Sequence, residues 1–90
     1  MLRLPQTLLH DTATATLAGM LDAVRAEPSA SVAVDASALQ RFDSTALAVL
    51  LELRRAALQT GKTLVLQGVP QRLHDLADLY GIAELLPSQA

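Results

Sequence analysis

Apolar and polar positions alternate along this chain between a period of two and a period near 3.6. Met1-Leu2-Arg3-Leu4 alternates before Pro5, the pattern of a short strand. Asp11 or Thr12 then offers an N-cap, and Leu17, Met20, Leu21 and Val24 recur at helical spacing until Glu27-Pro28 ends the run. Ser31-Val32-Ala33-Val34-Asp35-Ala36 returns to strand alternation with β-branched residues. A second helix is expected from about Ser44 to Gln59, closed by Thr60-Gly61, where glycine suits a left-handed C-cap. Thr63-Leu64-Val65-Leu66-Gln67 reads as the next strand, ended by Gly68, and Pro70 opens a third helix on Leu73, Leu76, Ala77 and Tyr80 that stops at Gly81. Ile82 to Pro87 forms a tail with enough leucine to pack back on the core. This order of elements predicts an α/β fold with right-handed crossover helices and a largely parallel sheet.

The second helix is wider in its apolar face than a surface helix requires. With residues placed ~100° apart from Leu47, the main core arc holds Ala46, Leu50, Leu51, Ala57 and Leu58, and the solvent side holds Thr45, Glu52, Arg55 and Gln59. Val49, Leu53 and Ala56 form a separate shoulder at roughly 180° to 240°. Either a partner buries that shoulder, with Glu52 and Thr45 beside it, or the first or third helix covers it.

Composition narrows the class. The 90 residues suffice for one small domain over residues 1–90 with one core. A net charge of -2 with scattered basic residues leaves no stripe to neutralise a run of phosphates, so nucleic acid is not an expected partner. Absence of cysteine removes disulfides and thiolate metal sites and fits a cytoplasmic location. No apolar run approaches the ~20 residues of a membrane span, so membrane association is expected only through a partner.

Chemistry concentrates in Asp43-Ser44-Thr45, which joins a strand region to the second helix. Aspartate, serine and threonine are helix-capping residues, and a hydroxyl at the positive end of a helix can also carry a phosphate. His10 and His74 have no second ligand at the spacing of a helical zinc site, and no nucleophile elbow or glycine-rich phosphate loop is present. These absences argue against a metal centre, a cofactor and an independent enzymatic activity; a small hydrolase with Ser44 or Thr45 as nucleophile stands as the alternative from that class.

Residues 31–87 resemble the STAS domain family, in which a strand leads through an Asp-Ser-Ser-Gly-Leu type turn into a helix; the turn here is Asp43-Ser44-Thr45-Ala46-Leu47. Leu64-Val65-Leu66-Gln67-Gly68-Val69, Leu76-Ala77-Asp78-Leu79-Tyr80 and Leu85-Leu86-Pro87 are similar to the closing segments of the MlaB-like members. The resemblance implies a small STAS-like fold and two readings. As an MlaB-like subunit, the chain would bind the ATPase subunit of a phospholipid-trafficking ABC transporter, with Ser44 as the hydroxyl that matters. As an anti-sigma factor antagonist, it would capture a serine kinase anti-sigma factor, with Thr45 as the phosphoacceptor. Both place the partner on Asp43, Ser44, Thr45 and the helix that follows, where Val49, Glu52, Leu53 and Ala56 are the candidate contacts. Ala46 stands where the family usually has glycine.

Overall fold

The computed structural model describes residues 2–86 and the backbone of residues 88–89. Along the chain run β1 (Leu2–Arg3), β2 (Thr7–Leu8), α1 (His10–Ala26), β3 (Ser31–Asp35), β4 (Arg41–Phe42), α2 (Thr45–Gln59), β5 (Thr63–Gln67), α3 (Gln71–Leu79), a short 3-10 turn (Ala83–Leu85) and β6 (Ser88–Gln89). One sheet has the order β1-β3-β5-β6, and β2 pairs with β4 in a second. Every one of these pairings is parallel, as the alternation of strands and helices predicts.

The central pair is β3 and β5, in register from Ser31 opposite Thr63 to Asp35 opposite Gln67. Alternation places Val32, Val34, Leu64 and Leu66 on the buried face. The strand read as Met1 to Leu4 is found at Leu2–Arg3, with Met1 outside the described residues. The tail does pack back: Leu86 is buried, while Pro87 lies outside the described residues.

Three local expectations are corrected. The first helix starts at His10, ahead of the two candidate caps, because Thr12 acts from the third helical position, where its hydroxyl accepts the Leu9 N–H at 3.3 Å. The tiny strands β2 and β4, absent from the periodic pattern, pair Leu8 with Phe42 and bring the N-terminal segment against the entry to α2. Leu58, placed in the core arc by periodicity, is exposed, and so is Tyr80, one of the apolar positions that mark the third helix.

The shoulder of α2 is core. Val49, Leu53 and Ala56 are 2%, 0% and 6% exposed, because α2 packs on β5 with one side and on α1 with another. A helix buried from two directions needs an apolar face broader than one stripe. The three residues therefore do not offer the partner surface that the helical wheel suggested for them.

Gly68 closes β5 with φ +65°, and a Cβ added there would sit 2.9 Å from the Ser37 Cβ. Ser37 cannot easily retreat, since its N–H donates to Asp35 Oδ1 at 2.9 Å. Gly68→Ala is expected to lower the urea midpoint by the equivalent of about 1–3 kcal/mol, the usual range for a side chain held in the left-handed region.

Candidate functional site

The start of α2 is built from Asp43, Ser44 and Thr45. Asp43, not Ser44, supplies the cap: its Oδ1 accepts the Thr45 N–H at 2.9 Å. Ser44 occupies the N-cap position with a helical backbone (φ -62°, ψ -16°), and its side chain makes no capping bond. The reason is geometric, since an N-cap side chain reaches the first-turn N–H groups from an extended backbone. Ser44 is exposed and Thr45 half-buried, so the expectation that Thr45 stands on the solvent side is only partly met.

The two hydroxyl residues open onto different grooves. Ser44 lines an open groove of about 340 Å³ with Leu47, Ala48 and Leu51 of α2 and with Tyr80 and Ile82 from the end of α3. Thr45 lines one of about 200 Å³ between α1 and α2, with His10, Thr14 and Leu17 on one wall and Ala48 and Glu52 on the other. Among the expected partner contacts, Asp43, Ser44, Thr45 and Glu52 thus surround the exposed start of α2, while Val49, Leu53 and Ala56 lie beneath it. Sequence reading missed Leu51, Tyr80 and Ile82 as lining residues. Tyr80 is 58% exposed and its neighbour Leu79 80% exposed, beside the groove that holds Ser44.

Asp43, like Asp35 at the end of β3, is a carboxylate whose pKa is lowered by local hydrogen bonds. Hydrogen bonding from the Thr45 side chain, then from its N–H, with His10 adding a backbone hydrogen bond and its charge, holds the carboxyl below its ordinary 3.8. A carboxylate with a depressed folded pKa stabilises the fold above its unfolded value and loses that contribution as pH falls through the folded one. The stability advantage of the native protein over Asp43→Asn is therefore expected to shrink as pH drops below 3.8, read from urea midpoints in an acid series.

The sequence expectation for histidine needs one correction. Asp78 stands at i+4 from His74, the two side chains meet at 3.3 Å, and Asp75 lies beside them with all ligand atoms within 4.8 Å. The three residues are exposed, and Asp75 also accepts a bond from Gln71 Nε2 at 2.8 Å. It is a solvated helix face, away from the hydroxyl turn.

Comparison with known proteins decides the family. A family model described as Mlab, STAS domain, matches residues 1–87. The chain belongs to the MlaB-type STAS domain family. Among solved structures, an anti-sigma-factor antagonist (STAS) domain protein from Planctomyces limnophilus superposes with a TM-score of 0.79 at 16% identity, covering 96% of this chain and 77% of that one. At that identity the likeness carries the STAS fold alone. No curated protein matches the sequence. STAS domains are generally regulatory or accessory modules that act through protein–protein contacts.

Proposed function

We propose that this MlaB-type STAS domain is a non-catalytic accessory subunit that binds the ATPase subunit of a phospholipid-transporting ABC system. It would act in the cytoplasm and reach the membrane only through that partner. No described helix is long and apolar enough to cross a membrane.

The observation that carries the reading is the free Ser44 hydroxyl. It is exposed, it does not cap its own helix, and it sits on the edge of a groove walled by Leu51, Tyr80 and Ile82. A polar atom beside apolar walls and an exposed tyrosine is the composition expected of an interface centre. Asp43 contributes by capping α2, and Glu52 borders the neighbouring groove that holds Thr45. Thr45 is half-buried in that neighbouring groove, which makes it less accessible to a partner than the exposed Ser44.

The alternative is an anti-sigma factor antagonist controlled by phosphate on Thr45, the class named for the P. limnophilus protein that shares this fold. Phosphate would add about -1.5 to -2 charge beside Asp43 and Glu52, which opposes docking there by repulsion and desolvation.

Co-expression separates the two. Tagged chain is expected to retain the ATPase subunit of a phospholipid-transporting ABC system and to show no hydrolysis of ester or nucleoside triphosphate on its own. Retention of a serine kinase in place of the ATPase subunit would transfer the assignment to the alternative. Turnover that disappears in Ser44→Ala would overturn both in favour of an enzyme.

A further inference from the structure

Arg72 lies in the first turn of α3 and is exposed, yet it makes two directed contacts with one residue of β4. Its guanidinium carbon stands 4.3 Å from the centroid of the Phe42 ring, and its Nη2 donates to the Phe42 carbonyl at 3.1 Å. A planar guanidinium can stack on a ring and donate at its edge at the same time; a lysine ammonium has the charge without the plane.

The bonded carbonyl belongs to the peptide that enters the hydroxyl turn. Phe42 C=O and Asp43 N–H share one rigid plane, so a bond to that oxygen fixes the direction in which Asp43 leaves β4. Asp43 in turn accepts the Thr45 N–H at 2.9 Å, and Ser44 is held between these two restrained neighbours with no side-chain capping bond of its own. Arg72 also ties the start of α3 to the start of α2. Those helices supply the facing walls of the groove, Ser44, Leu47, Ala48 and Leu51 on one side and Tyr80 and Ile82 beyond the end of α3 on the other.

We infer that Arg72 is a positioning residue for partner binding, setting both the Phe42–Asp43 peptide and the spacing between Ser44 and Tyr80. The inference rests on the reading of Ser44 as a partner contact. Arg72 acts through Phe42 and need not touch the partner.

The test uses Arg72→Ala and Arg72→Lys in the full chain, with amide NMR signals of residues 43–46, thermal unfolding, and calorimetric affinity for the transporter ATPase subunit. Lys62→Ala serves as a control for general destabilisation, because Lys62 Nζ caps the far end of α1 through the Val24 and Arg25 carbonyls at 2.7 and 3.1 Å. Arg72→Ala is expected to shift the Thr45 amide signal and weaken binding about tenfold, the equivalent of about 1.4 kcal/mol. Arg72→Lys is expected to recover only part of both effects, since it can restore the carbonyl bond without the stack. An unmoved Thr45 amide, an unchanged affinity, or an equal affinity loss in Lys62→Ala at matched stability would each overturn the positioning role. Wild-type binding by Ser44→Asn would instead remove the underlying reading of Ser44, whatever the Arg72 variants do to the amide signals.

Discussion

Leu53→Glu is expected to unfold the protein. Leu53 is wholly buried in α2, where that helix is held between β5 and α1. A glutamate there must either bring an unpaired charge into the core or protonate, and breaking the packing adds the loss of a leucine side chain. Unpaired burial costs several kcal/mol, and truncating a buried leucine alone costs about 2–5 kcal/mol. Against a total stability of about 5–15 kcal/mol for a natural domain, the sum leaves little or no folded population. Circular dichroism should show loss of helical signal at 25 °C. Tyr80→Glu is the contrasting variant, since Tyr80 is exposed on the groove rim; it should remain folded and lose partner binding. A folded Leu53→Glu would return the α2 shoulder to the surface, where the helical wheel had placed it as one of its two options.

The different fates of these residues show what periodicity can and cannot reveal. The strand Thr63–Gln67 was legible to the residue because alternation is bounded by Gly61 and Gly68, both with positive φ. The extent of α2 was legible within one residue for the same kind of reason, an apolar period ended by Thr60-Gly61. The wheel gives an angle, however, and not the identity of what stands opposite. Val49 meets α1, whereas Leu58 meets solvent, although both look apolar from the sequence. The pairing of β2 with β4 has no local signature, because each strand is two residues long and the contact joins Leu8 to Phe42. Arg72 over Phe42 spans 30 positions and is likewise a product of tertiary placement. At the site, the identity of the turn was readable from Asp43-Ser44-Thr45, but the division of labour within it was not: capping falls to Asp43 because Ser44 already has a helical backbone.

That division gives the turn a second set of expected outcomes, in which stability and binding separate cleanly between adjacent residues. Asp43→Ala removes the acceptor of the Thr45 N–H and should lower the unfolding midpoint measurably, as the loss of a helix cap does. Ser44→Ala removes a hydroxyl that bonds nothing in its own helix, so its unfolding midpoint should stay within about 0.5 kcal/mol of the native protein, as for other surface substitutions. Ser44→Asn should be equally tolerated by the isolated fold, since the side chain opens onto a groove and not into packing. In the complex the amide would occupy space that a partner fills when it closes on Leu51, Tyr80 and Ile82. Ser44→Asn is therefore expected to weaken ATPase-subunit binding by tenfold or more, the scale of a central contact worth at least about 1.4 kcal/mol. Thr45→Glu sets a new carboxylate next to Asp43 and Glu52 and should weaken the same complex. Calorimetric titration of the ATPase subunit with each variant, paired with urea unfolding of the same preparations, reads both axes. If Ser44→Asn and Thr45→Glu both bind like the native chain, the turn is a helix start and nothing more, with Asp43 as its one consequential side chain.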